Sequence, residues 1–476
     1  MLKRLTVLLL FVVTTTVFFS CTEDDSTDPI IYDEFTVQTD WSGGGTQVDM
    51  LDSNKFNVSA GIDFTSTPGE ITISGDYFVT NDAQTYNGKL YVCVTGYGTF
   101  EYDPTSDVWK LSLAGHYWRF SYVFDGKLYT LYSGVEIKTY DGTTNDYGLG
   151  PNGWAVFNND GLPAYGEVDP YLNIFDFTEF NSELYACGGL WNGTTNQSAG
   201  GQVYKFNGTA WEQVGATTEN SSNAIVAYDG ELYWGTHWSG DLFKLVGGVW
   251  TYTGHSFGMS VTDLVVCNDK LYVASWNTSY VTGYVDEFDG TNWVRRYNGE
   301  AVTELTVHNN MITWGTNPGG KIFQLSNDPA PWVVNLYDLG ITCISGLVSV
   351  NGDLYNGCGY QTAPNVRDNF IYKNGVQEKK LECCMLVSSG YSSIENTWGN
   401  IVWNCDEPAG TGVEVWVQGK DSAAAWPMYT EYNWTQMVND TPIELDGQDM
   451  RYKVYLWSTE DGVTPTFEDI SLKVEQ

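Results

Sequence analysis

"YDGELY", residues 228–233, is the phrase on which the fold turns. A tyrosine leads into Asp-Gly, a pair that tolerates the two positive φ values of a type I′ turn. A charged residue, a leucine and a second tyrosine then resume the chain as a returning strand. The phrase recurs as "YNGKLY" (86–91), "FDGKLY" (124–129), "FNSELY" (180–185), "CNDKLY" (267–272), "HNNMIT" (308–313) and "VNGDLY" (350–355). Its anchors Leu90, Leu128, Leu184, Leu232, Leu271, Ile312 and Leu354 fall 38 to 56 residues apart, the spacing of propeller blades.

A second hairpin follows each first one: "FEYDPTSDVW" (100–109), "KTYDGTTNDY" (138–147), "VYKFNGTAW" (203–211), "LFKLVGGVW" (242–250), "VDEFDGTNW" (285–293), "IFQLSNDPAPW" (322–332) and "FIYKNGV" (370–376). Two hairpins make a four-stranded antiparallel sheet that is too small to stand alone, so seven of them must bury one another around an axis. The expected fold is all-β, with a seven-bladed propeller over 79–384. Its Tyr and Trp are assigned to the core. The third repeat, "LYACGGLW…VYKFNGTAW", resembles a kelch repeat through its Gly-Gly, Tyr and Trp. The other repeats keep the aromatic pattern and mostly lack the glycine pair.

The chain opens "MLKRLTVLLLFVVTTTVFFSCTEDD". Lys3 and Arg4 before an apolar run form the charged and hydrophobic regions of a secretory signal over 1–20, too short to span a bilayer. "FFSC" resembles a lipobox, which implies that Cys21 becomes a lipidated N-terminus. The acidic "TEDD" after it resembles the signal that sends some Gram-negative lipoproteins outward. The implied address is the outer membrane, facing the exterior. Residues 21–30 would be an acidic tether, and the lipid would be the sole membrane contact.

Composition narrows the partners. The formal net charge of −37, from 22 Lys and Arg against 59 acids, argues against nucleic acid and anionic membrane surfaces. Eight cysteines beyond Cys21 leave the disulfide pattern open.

Beyond the repeats, the tail "WGNIVWNCDEPAGTGVEVWVQG…DGQDMRYKVYLW…TPTFEDISLKV" alternates as strands. It resembles a β-sandwich module appended to secreted bacterial surface proteins. The matching features are "WGxIxW", "DGQxxRYKVxL" and "TPxxEDISL". In that module the first strands precede a segment that is here "SGYSS" (389–393). Residues 31–78 are expected to supply those strands and 385–476 the rest, with the propeller inserted between them. A competing assignment makes 31–75 an independent strand pair.

The loops joining second to third strands vary in length and carry surplus rings, as in "SWNTSYVTG" (275–283) and "GTHWSG" (235–240). They share one propeller face, and variable loops on a rigid scaffold are where binding usually lives. Trp276, Trp238 and Trp191, with Tyr280, Tyr97, Tyr360 and His237, are the candidate ligand-binding residues. Aromatic faces among Asn, Thr and Gly suit sugar rings. The alternative is that such rings fold back and cap the blade ends. The connector 151–173 is expected to reach the same face, where Asp160, Glu167 and Asp169 are candidate calcium ligands, against solvated acids as the plainer reading.

No catalytic motif is legible. The four His share no metal-binding spacing, and there is no Gly-x-Ser-x-Gly elbow. The paired His and Tyr of kelch-type copper oxidases cannot be assembled, nor can the Arg cluster of sialidases. A carboxylate pair could hide among the acids, so an enzyme is unsupported without being excluded. No cofactor is expected beyond calcium. The leading reading is a surface lipoprotein that binds extracellular polysaccharide or acts in adhesion. A structural or protein-interaction propeller is the second, and a polysaccharide hydrolase or lyase the third.

Overall fold

The computed structural model describes residues 30–35, 56–58, 62–63, 72–73, 80–94, 98–114, 121–133, 136–142, 154–163, 171–192, 197–217, 221–277, 281–326, 332–358, 370–388, 391–392, 398–420, 434–445, 449–460 and 463–474. They form an all-β protein.

Among them are seven four-stranded antiparallel units in chain order, here units 1 to 7, over 80–114, 121–156, 171–216, 221–256, 260–299, 300–338 and 344–380. Each unit runs up and down in sequence order. The 16-residue strand Trp293–His308 serves as the last strand of unit 5 and the first of unit 6. The first strands pack side by side in cyclic order, and the first strand of unit 7, Ile344–Val350, closes on that of unit 1, Thr80–Tyr86. This is the closed ring of a β-propeller, in which every unit buries its two faces against neighbours.

The turn chemistry explains why the recurring phrase works. Asn87-Gly88, Asp125-Gly126, Asn181-Ser182, Asp229-Gly230, Asn268-Asp269, Asn309-Asn310 and Asn351-Gly352 all have positive φ at both positions. Type I′ turns demand this, and it falls to Asn, Asp and Gly because they tolerate it best. The seven apolar anchors after the turns are buried almost completely.

The charged residue before each anchor has a partner. In unit 1 Lys89 meets Glu101 at 2.6 Å, and in unit 5 Lys270 meets Glu287 at 2.5 Å. Units 3, 4 and 7 reverse the polarity with Glu183–Lys205, Glu231–Lys244 and Asp353–Lys373. The partner always lies opposite the tyrosine that follows the anchor, on the third strand. The Lys/Glu variation within the phrase is therefore matched two strands away.

Outside the ring, two further sheets face each other. One has the strand order Ile30–Phe35, Thr466–Val474, Asn400–Asp406, Thr441–Pro442. The other runs Phe56–Val58, Glu382–Ser388, Asp449–Ser458, Thr411–Lys420, Thr435–Gln436, with Tyr391–Ser392 also on Asp449–Ser458. Trp403, Phe467 and Ile470 from the first sheet share one core with Val415, Val417, Tyr452 and Val454 from the second. The opposite face of the second sheet carries Trp416, Tyr455 and Trp457, which pack on Phe100, Tyr355 and Ile371 of units 1 and 7.

Cys93, Cys187, Cys267, Cys343 and Cys405 are free thiols, and the first four are buried. Cys21 lies outside the described residues.

Candidate functional site

The second-to-third-strand loops of units 4 and 5 meet at one end of the ring. The strand Glu231–His237 ends opposite Ser221 and touches the next unit through His237 and Ser260. In unit 5, Trp276 lies opposite Ser260 at the end of Lys270–Trp276. Three rings therefore cluster. Trp238 lies 4.6 Å from His237 and 6.0 Å from Trp276, and His237 lies 5.5 Å from Trp276, all edge to face.

The members differ in what they offer. Trp238 is 42% exposed, whereas Trp276 is only 5% exposed. This corrects the expectation that Trp276 presents a ring to water. It caps the blade end, because the returning strand leaves it under Trp238 and against His237. Trp238 sits at φ +70°, a left-handed conformation that costs a bulky residue of order 1–3 kcal/mol and is concentrated at functional positions.

His237 is oriented from below. Its Nδ1 lies 2.6 Å from Ser260 Oγ and 3.1 Å from Asn223 Nδ2. The Asn223 amide also donates to the Val261 carbonyl at 3.1 Å, which fixes its NH2 on this side. Nδ1 is thus an acceptor, and the imidazole carries its proton on Nε2.

Other expected residues are placed differently. Trp191 lies on the strand Glu183–Asn192 at the same end of unit 3, paired with Tyr171 and Ser198, and its side chain is outside the description. Tyr97, Tyr280 and Tyr360, with Glu167 and Asp169, lie outside the described residues. Asp160 is described and is exposed, but at the opposite end of the ring. Its carbonyl accepts the Trp211 N–H at 2.7 Å, and Asn158 reaches Thr209 in the turn of unit 3. This corrects the expected course of the connector. Phe157 and Leu162 are apolar and pack with Trp211 and Phe206, which draws the segment to the turn end. Among the described residues, no group of three or more His, Cys, Asp or Glu is arranged to hold a metal ion.

Four carboxyls not singled out by the motif search line the inside of the ring: Asp82, Asp176, Asp263 and Glu304. Each follows a bulge in a first strand, after Asn81, Phe175, Thr262 and Thr303 respectively. A bulge re-aims the next side chain, here toward the neighbouring unit. Asp82 accepts the Ala83 N–H at 2.8 Å and the Ser121 N–H of unit 2 at 2.5 Å. Asp176 accepts Phe177 at 2.7 Å and Ile225 of unit 4 at 2.8 Å. Asp263 accepts Leu264 at 2.7 Å and Leu305 of unit 6 at 2.7 Å. Glu304 is bonded by the backbone of Leu347 and Gly346 in unit 7.

A signal for them was available, since each acid stands four positions before the residue that opens the turn: Tyr86, Phe180, Cys267 and His308. Burial pushes all four upward. Asp82 reaches about 7 and Asp263 about 6, despite the N–H donors that pull the other way. Asp176 and Glu304 are also raised, with the other acids of the ring adding to the effect of burial.

No known family model matches the chain, and neither does any curated protein. Similar solved structures are β-propeller proteins. Oligogalacturonate lyase from Vibrio parahaemolyticus is 9% identical with a TM-score of 0.44, over 67% of this chain and 96% of that one. The calcium-binding protein regucalcin from Agrobacterium tumefaciens is 12% identical with a TM-score of 0.38, over 64% and 92%. BamB from Moraxella catarrhalis is 12% identical with a TM-score of 0.33, over 63% and 92%.

Proposed function

We propose that this chain is a lipid-anchored surface protein that binds extracellular glycan, or adheres through it, at the ring end where units 4 and 5 meet. The observation that carries this reading is Trp238: an exposed indole, held in a left-handed backbone conformation on a base of His237 and buried Trp276. Such a fixed, half-wet ring suits the apolar face of a sugar, and the ring and amide groups around it suit hydroxyls. The net charge of −37 favours neutral glycans over acidic ones.

In this reading the seven units are the blades of a kelch-like seven-bladed propeller set into a split β-sandwich. The pairing of Ile30–Phe35 with Thr466–Val474 and of Phe56–Val58 with Glu382–Ser388 supports the split. The sandwich would present the propeller away from the anchor at Cys21.

Two variants test the site. Trp238→Ala should keep the melting temperature within a degree or two and weaken binding to neutral polysaccharides about ten-fold. A stacked ring burying several tens of Å² contributes roughly 1–2 kcal/mol at about 25 cal/mol per Å². Trp276→Ala should instead destabilise the protein, since it removes a buried ring. If Trp238→Ala leaves all polysaccharide binding intact, the face is not a glycan site. Capture of proteins alone in the same screen would replace it with the interaction reading.

The address has its own test. Cys21→Ala should abolish lipid labelling and move the protein from the membrane fraction to the soluble one. Membrane retention without lipid on Cys21 would refute the anchor.

A further inference from the structure

The inner carboxyls do more than line the ring. Each reaches across a seam between adjacent units: Asp82 from unit 1 to unit 2, Asp176 from 3 to 4, Asp263 from 5 to 6 and Glu304 from 6 to 7. Neutral side chains make comparable bridges. Asn223 bonds the Val261 carbonyl across the 4–5 seam, Thr262 bonds Val302 across 5–6, and Thr303 bonds Ile344 across 6–7. The ring is therefore stitched on the inside by a set of side chains of which four can carry charge.

We propose that Asp82, Asp176, Asp263 and Glu304 form a proton-dependent lock on the propeller, holding the first strands together while protonated and loosening the ring as they ionise. The geometry makes these groups unlike surface acids. Each is enclosed by the first strands, so water cannot solvate a full negative charge there, and each lies in the field of other members. Asp82 feels Asp263; Asp176 feels Asp263 and Asp82; Glu304 feels Asp82 and Asp263. The other titratable groups facing them are the thiols of Cys93, against Asp82, and Cys187, against Asp176. Burial holds both thiols protonated, so neither offsets the acids.

The sign follows from linkage. The folded-state values lie above the ordinary 3.8 of an aspartate, so between pH 4 and 7 the folded protein binds more protons than the unfolded chain. The stabilisation from protonation is therefore present at low pH and is lost as pH rises through about 6 to 7. His255 and His308, which burial holds below the ordinary imidazole value, act in the opposite direction. Comparison of variants with wild type removes their contribution.

The test is a series of melts of the full chain at pH 5, 6, 7 and 8, for wild type, Asp263→Asn, Glu304→Gln and the double variant. Wild type should lose several degrees from pH 5 to pH 8. Each variant should show a shallower slope, and the double variant the shallowest. A second measurement needs no variant: the infrared band of protonated carboxyl groups in folded wild type should persist at pH 6 and fade by pH 8. A wild-type melting temperature that is flat or rises over this range would overturn the lock. So would variants that retain the full slope, or the absence of a protonated carboxyl band at pH 6.

Discussion

Trp211→Ala should lose about 3–5 kcal/mol of stability, the scale of a buried indole replaced by a cavity. Trp211 is buried between two units, 5.4 Å from Phe206, 6.3 Å from Phe157 and 6.4 Å from Phe177, measured between ring centres. Its indole N–H donates to the Asn158 carbonyl at 3.1 Å. Removing the ring takes away the apolar contacts and leaves that carbonyl without its donor, while the connector loses the surface it packs on. Denaturant unfolding of Trp211→Ala beside Trp238→Ala measures the contrast. The first should shift the midpoint strongly and the second barely. A loss below about 1 kcal/mol for Trp211→Ala would mean that the inter-unit core repacks far better than cores of this density do.

Glu287→Gln should be comparably damaging, by roughly 3–5 kcal/mol, because it breaks a buried charge network by removing one partner. Glu287 Oε2 accepts from Arg296 Nε at 2.9 Å and Tyr272 at 3.0 Å, and Oε1 accepts from Arg296 Nη2 at 2.9 Å and Lys270 at 2.5 Å. Burial pushes this carboxyl upward, but the bonds from Arg296, Lys270 and Tyr272 outweigh it and hold it at about 2. The folded value lies below the ordinary 4.5, so this stabilisation is fully present above pH 4.5 and is lost as pH falls toward 2. At 1.36 kcal/mol per unit, the acid-labile part is on the order of 2–3 kcal/mol. Wild type should therefore lose stability from pH 4.5 to pH 2.5 more steeply than Glu287→Gln. Parallel acid limbs for the two proteins would show that the network contributes nothing.

The two acid sites respond to pH in opposite directions, although both are carboxyls enclosed by strands. The difference is the partner. Glu287 faces a guanidinium and an ammonium, whereas Asp82 and Asp263 face backbone N–H groups and other acids. An Asp or Glu in the sequence does not announce which environment it will meet.

What the sequence by itself determined is the repeating unit. Asn-Gly and Asp-Gly set positive φ locally, Leu232 and its counterparts alternate with tyrosines at strand period, and both signals act within a few residues of themselves. Lys89 against Glu101 and Glu231 against Lys244 were legible in the same way once the hairpins were aligned, because antiparallel register fixes who stands opposite whom. Only the tertiary structure decided which rings are wet. Trp238 and Trp276 occupy similar loops, but packing of unit 4 against unit 5 covers one with the other. The same holds for Asp160, carried to the turn end by the burial of Phe157 and Leu162, and for Asp82, Asp176, Asp263 and Glu304, aimed across the seams by bulges. Local propensity acts over neighbouring residues, whereas exposure and proton affinity depend on what the closed ring brings alongside.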